Sequence, residues 1–145
     1  MQTPELHTER LLLRPFMRTD AADVFAYASS PRVSRYTTWE THRSIDDSHA
    51  FIDMVLDRDD DEHTWAICLA EDRRARGAIE LGLVSQTEAE IHYVLAEPLW
   101  NQGLTTEAAR AVIAWGLGSY PAVMRIASRA VTENVASHRV MEHCG

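Results

Sequence analysis

The sequence predicts an α+β fold built on a mixed sheet. Three strand-like runs crowd between Thr64 and Leu95 with short turns between them, as in an antiparallel meander. Apolar residues at helical spacing flank that region on both sides. A last strand and helix follow, so the predicted order is β-α-α-β-β-β-α-β-α.

In chain order, Arg10-Leu11-Leu12-Leu13-Arg14-Pro15-Phe16 is a short apolar run closed by a proline and reads as the first strand. Asp20 opens an acidic turn. Ala21, Ala22, Val24, Phe25 and Ala28 then mark an amphipathic helix that stops near Ser29-Ser30-Pro31. Arg32 to Thr41 reads as irregular and carries Tyr36 and Trp39. Ser44, with Asp47 three residues on, signals a helix start. Ala50, Phe51, Met54 and Val55 give that second helix its apolar face, and it runs out in the acidic stretch from Asp57 to Glu62. Strands follow at Thr64–Leu69, Gly77–Val84 and Glu88–Leu95, with the charged stretch from Glu71 to Arg76 as the first turn between them. Beyond Pro98 a helix runs from about Leu104 to Leu117, with Ala109, Val112, Ile113 and Gly116 on one face. Met124 to Val131 is the last strand and Asn134 to Cys144 the last helix. No repeat, linker or low-complexity segment interrupts the pattern.

A chain of 145 residues suits one domain, spanning 1–145. Folding at this size removes roughly two-thirds of the unfolded surface from water. Hydrophobic residues at 46% and charged residues at 25% exclude a disordered tail, a collagen and a coiled coil. The net charge of −8 speaks against binding nucleic acid by charge, and for a cationic partner such as an amine. Cys68 and Cys144 have no CxxC spacing and cannot build a disulfide framework, so a reducing cytosol is the expected location. The N-terminal segment has acids at Glu5 and Glu9 and only a short apolar run, unlike a signal peptide. No run of 18 apolar residues predicts a membrane span.

The chemistry concentrates in the segment from Ala89 to Ala108. It reads as a strand, a tight loop around Gly103, and a helix. The first turn of a helix has backbone N–H groups without intrahelical partners and a positive dipole end. Amides converging there form an anion nest. Gly103 removes the Cβ that would hold a phosphate off, and Thr105 and Thr106 add hydroxyl donors. A plain strand-to-helix turn would carry the same residues.

This segment resembles the acetyl-CoA-binding motif of the GNAT superfamily of N-acetyltransferases, and more closely its RimJ/RimL-like branch. Three further stretches match that branch in order: Thr8-Glu9-Arg10-Leu11-Leu12-Leu13-Arg14-Pro15, Gly77-Ala78-Ile79-Glu80-Leu81-Gly82-Leu83, and Glu133-Asn134-Val135-Ala136-Ser137-His138-Arg139-Val140-Met141-Glu142. The resemblance implies a GNAT-like, mostly antiparallel central sheet flanked by helices. It implies transfer of acetyl from acetyl-CoA to a primary amine. The amides around Gln102, Gly103, Leu104, Thr105 and Thr106 would hold the pyrophosphate. An amide on the strand holding Val94 and Leu95, splayed from its neighbour, would act as oxyanion donor to the thioester carbonyl. Asn101 and Thr105 depart from the glycine, arginine or alanine that the branch favours there. The branch also continues past Gly145 with two more strands. The last hairpin is therefore expected either to be missing from this sequence or to have its edge covered by a neighbouring chain. A monomer and a homodimer are both compatible with this reading.

Acyl transfer to an amine needs a base, because an ammonium has no lone pair. Holding a lysine neutral at pH 7 costs about 3.4 pK units, or roughly 4.6 kcal/mol. An α-amine costs only about 1–1.4 kcal/mol. A carboxylate working through water therefore suffices for an N-terminal acceptor, such as that of a protein or peptide. Small amines are the alternative acceptors, and a non-catalytic acyl-CoA-binding module is a third reading. Glu90, on the strand before the loop, is the first candidate base; an exposed strand carboxylate is the plain alternative. His92 lies two residues on, on the same strand face, either to relay the proton or simply to pack. Glu80 is a third option. By resemblance, Ser137 would protonate the leaving thiolate and Asn134 would contact the pantetheine arm; both also suit a helix start.

Other features point elsewhere. Asp57 to Asp61 has no glycine at the sixth position of a calcium loop, and Cys68 stands where the twelfth ligand belongs. His138, His143 and Cys144 lack zinc spacing, so no metal is expected. Tyr36 and Trp39 either wall an acceptor pocket or pack half-buried.

Overall fold

The computed structural model describes residues 2–35, 37 and 39–128. Among them six strands form one sheet in chain order: β1 (Leu6–His7), β2 (Leu11–Pro15), β3 (Glu62–Leu69), β4 (Asp72–Leu83), β5 (Glu88–Leu95) and β6 (Arg125–Ala127). The first five pair antiparallel, and β6 runs parallel to β5. A parallel neighbour needs a long crossover, which is supplied by α4 (Leu104–Ser119). Helices α1 (Ala21–Ala28), α2 (Pro31–Ser34) and α3 (Ile45–Leu56) lie between β2 and β3 in the chain.

Alternation along the strands builds two cores, one per sheet face. Leu11, Leu13, Trp65, Ile67, Ile79 and Leu81 face α4, where Leu104, Ala108 and Val112 meet them. Leu12, Ala66, Cys68 and Ala78 face the other way, against Val24, Tyr27 and Ala28 of α1 and Ile52 of α3. Gly116 lets α4 approach the sheet closely; a Cβ there would come within 2.6 Å of Leu81 Cδ2. Arg14 falls on the α1 face and is buried with Asp20 in a two-pronged ion pair of 2.8 and 2.9 Å. Asp20 also accepts the Met17 N–H at 2.7 Å, and Arg14 Nη2 donates to the Arg73 carbonyl at 2.7 Å.

The mixed, mostly antiparallel sheet flanked by helices matches the sequence reading. Three details differ. First, β4 begins at Asp72, so the charged stretch from Glu71 to Arg76 is mostly strand and the turn shrinks to Ala70 and Glu71. The charges misled because the β3–β4 register is irregular here: Ile67 pairs with Gly77 and Leu69 with Asp72, and Arg73 and Arg74 are both exposed while Ala75 is buried. Asp72 holds the segment by accepting from the Arg74 N–H at 3.1 Å and from Arg76 at 3.2 Å. Second, Pro31 opens the short helix α2 at its first position rather than only closing α1. Third, the two-residue β1 is too short to show a period. The expected strand from Met124 is β6 as far as Ala127; residues 129–131 and the expected helix from Asn134 to Cys144 lie outside the described residues.

Candidate active site

The site is built where β5 hands over to α4. Glu97–Leu99 makes a single 3-10 turn after Leu95. Trp100 then folds back, and its indole Nε1 donates to the Leu95 carbonyl at 2.7 Å. Asn101 (φ 62°) and Gly103 (φ 77°, ψ 8°) both take left-handed conformations. Asparagine and glycine are the residues that do so at least cost. Gly103 is the N-cap of α4 and has no side chain to cap it. The first helical bond is Glu107 N–H to the Gly103 carbonyl at 3.1 Å. The amides of Leu104 and Thr105 therefore have no intrahelical acceptor. The Leu104 side chain is buried in the core, so its contribution to a ligand is main chain alone. Asn101, Gln102 and Gly103 are exposed, and Thr105 and Thr106 are half-buried.

A clamp that the sequence reading did not single out fixes this loop. Arg10 Nη1 donates to the Gln102 carbonyl at 2.8 Å. Arg10 Nε and its backbone N–H reach Glu107 at 2.7 and 2.9 Å, and the Thr8 hydroxyl donates to the same carboxylate. Burial works to raise the Glu107 pKa, but the bonds from Thr8 and Arg10 outweigh it and hold the carboxyl below its ordinary range. Glu107 is thus neutralised by Arg10 rather than aimed at the nest. Arg10 Nη2 stands 3.5 Å from where a Gly103 Cβ would be, which adds positive charge beside the loop. The only sequence signal was the stretch Thr8 to Pro15, which reads as the first strand of the branch it resembles. These features fit an acidic diphosphate: two left-handed residues, an uncapped helix start and a guanidinium at its side.

The edge of β5 opens toward this loop. β6 pairs only with Glu88, Ala89 and Glu90. On that side, among the described residues, Ile91 to Leu95 continue beyond β6. The Ala96 N–H bonds the Arg76 carbonyl at 2.8 Å, which sets the phase of the β4–β5 ladder. Alternation then directs the Val94 N–H to Ala78 on β4, and the Leu95 N–H away from β4, to the open edge. Of the two residues expected to polarise a carbonyl, Leu95 has its amide on the usable side and Val94 does not. Val94 instead packs its side chain on the α1–α3 core. Gly77 is required opposite them, because a Cβ would meet the Val94 carbonyl at 2.3 Å.

Glu90 and His92 lie on the sheet face that carries α1 and α3 farther along. Their side chains meet at 3.3 Å, with 27% and 43% of each exposed. Glu80 stands directly across from His92, and Thr64 across from Glu80. The Glu80 carboxylate is in contact with Arg58, which also donates to Thr64 Oγ1 at 2.8 Å. Of the three candidates Glu80 is tied to a guanidinium, while Glu90 faces the imidazole. Ser137, Asn134 and Tyr36 lie outside the described residues. Trp39 packs 5.3 Å from the His42 ring and against the α1–α3 core.

The acetyltransferase (GNAT) domain family matches residues 10–145. The chain belongs to the GNAT acetyltransferases. This GNAT acetyltransferase is 29% identical to the N-acetyltransferase YoaA of Bacillus subtilis strain 168 over 146 residues, covering 98% of this chain and 82% of that one. A solved GNAT-family acetyltransferase from Bacillus anthracis superposes with a TM-score of 0.87 at 26% identity, covering 98% of this chain and 82% of that one. RimL, described as a ribosomal L7/L12 alpha-N-protein acetyltransferase in complex with coenzyme A, superposes with a TM-score of 0.82. It covers 97% of this chain and 82% of that one at 14% identity, a likeness of fold alone. As a GNAT enzyme the chain is an acyltransferase with acetyl-CoA as co-substrate.

Proposed function

We propose that the enzyme acetylates the N-terminal α-amine of a protein or peptide by direct attack in a ternary complex, as the RimJ/RimL-like branch does. The observation that carries the reading is the Glu90–His92 pair, 3.3 Å apart on the strand that leads into the coenzyme loop. A half-exposed carboxylate is placed to act through water, which is enough for an α-amine but weak for a lysine. The name carried by RimL, an alpha-N-protein acetyltransferase, agrees with that acceptor.

Acetyl-CoA supplies an activated acyl thioester. The main chain at Gln102–Thr106 binds its diphosphate, and the Leu95 N–H donates to the carbonyl oxygen as charge grows there. Glu90 takes the proton of the acceptor ammonium through water, with His92 orienting the carboxylate. The nitrogen–carbon bond forms, and as the carbon–sulfur bond breaks the nitrogen sheds its second proton, which replaces the one Ser137 gives up. Ser137 returns a proton to the leaving sulfur, and Asn134 holds the pantetheine arm. The reaction is tested by following free coenzyme thiol with a panel of N-terminal peptides and small amines. Release with peptides alone is expected; release only with small amines would replace the peptide acceptor by a small-molecule one.

A further inference from the structure

The described residues contain an open cavity of about 570 Å³ formed by α2 and the segment after it. Arg32, Arg35 and Arg43 line it, with Trp39, Ser34 and Glu40. This is an unexpected concentration in a chain of net charge −8 with no lysine anywhere in its sequence. One ion pair and one shared apolar cluster tie the cavity to the end of β5. Arg32 Nη1 pairs with Glu97 Oε1 at 2.6 Å, and Glu97 opens the turn directly after β5. Trp39 packs in the same cluster as Val94 and Ala96, the residues on either side of Leu95. The cavity is thereby joined to the turn that follows the strand whose amide faces the thioester.

The geometry points to an acceptor that carries anionic groups beside its amine, in the form of a peptide with acidic side chains just after its N-terminus. The inference rests on the peptide-acceptor reading above and adds the class of sequence. Arginine forks bind carboxylates bidentately, and Trp39 offers a flat wall for the peptide chain. At 0.15 M salt, fields fade over about 8 Å, so distant acids count for little against the three guanidiniums; the acids close by are Glu40 on the lining, Glu97 at Arg32, and Asp47, which accepts from the Arg43 N–H at 2.8 Å. Glu97 offsets part of Arg32, which leaves Arg43 as the side chain to test.

The experiment uses three acceptors: a hexapeptide with Asp and Glu at its second to fourth positions, its Asn and Gln counterpart, and free glutamate. Turnover is measured for each, together with calorimetric binding of the N-acetylated, unreactive peptides to the coenzyme-loaded enzyme. Wild type is expected to favour the acidic peptide by about tenfold in KM and in Kd, with a preference that shrinks in salt. Arg43→Gln is expected to remove most of that preference with kcat retained. Arg18→Gln, which changes the same charge on α3's side of the molecule where Arg18 meets Asp53, is expected to leave it intact. Equal use and equal binding of the two peptides would overturn the inference, as would loss of preference in Arg18→Gln to the same degree. Acidic binding without peptide turnover, but with acetylation of glutamate, would sink the peptide reading and leave the anion-binding cavity standing.

Discussion

Glu90 and Glu80 stand on neighbouring strands of one sheet face, and their different partners separate their roles. Glu80 is engaged by Arg58, whereas Glu90 lies 3.3 Å from the His92 ring. Glu90→Gln is expected to lower kcat at pH 7 about 100-fold, with acetyl-CoA affinity unchanged, as read by turnover and by calorimetry. Unaltered turnover would remove Glu90 as base. The pairing of Glu90 with His92 was legible in the sequence because strand period alone puts residues two apart on one face. The tethering of Glu80 was not, since Arg58 lies 22 residues away and arrives only through the fold. Likewise the split between Val94 and Leu95 depends on hydrogen-bond phase, which no side-chain pattern encodes.

At the scale of elements, the loop before α4 was the part most readable in advance. A glycine before a helix names its own purpose when the backbone must turn left-handed, and Asn101 adopts the same geometry. Gly103→Val is expected to weaken acetyl-CoA binding at least tenfold, because a β-branched residue at positive φ is strained and crowds the nest. Intact affinity by calorimetry would show that the loop serves another end. The clamp from Arg10 and Thr8 to Glu107 was hidden because its members are 97 or more residues apart. The Arg14–Asp20 pair joins β2 to the start of α1, and both side chains are only 4% exposed. Asp20→Asn leaves a buried guanidinium without its counter-charge, so a loss of about 3–5 kcal/mol is expected in urea unfolding. A shift under 1 kcal/mol would mean that water reaches Arg14. Charged strands such as the start of β4 were misread because composition reports exposure, not backbone pairing.

For the whole molecule, the predicted order of elements held through the described residues apart from the added β1 and α2, since the meander and the amphipathic helices each bury one face. What tertiary contact decides is the chemistry of buried groups. His63 is 1% exposed, with its ring nitrogens 2.9 Å from the Thr3 hydroxyl and 2.7 Å from the Tyr120 hydroxyl. Burial pushes the pKa of His63 down, and that of His42 likewise. The unfolded chain then binds protons first as pH falls, so stability is full above about pH 6.5 and declines as pH drops through the lower folded values. The urea midpoint is expected to be lower at pH 5.5 than at 7.5, and the difference is expected to shrink in His63→Asn. A midpoint that does not move between those pH values would contradict the buried neutral ring.

The four tryptophans divide between these regions. Trp65 and Trp115 form an edge-on pair with ring centroids 5.2 Å apart beside His63. Trp100 bonds Leu95 and touches both apolar clusters, and Trp39 lines the arginine cavity. Two indoles are therefore built-in optical probes, one beside the loop before α4 and one in the arginine cavity. Emission recorded during coenzyme and peptide titrations, with Trp39→Phe and Trp100→Phe as filters, would resolve the order in which the two substrates load without any attached dye.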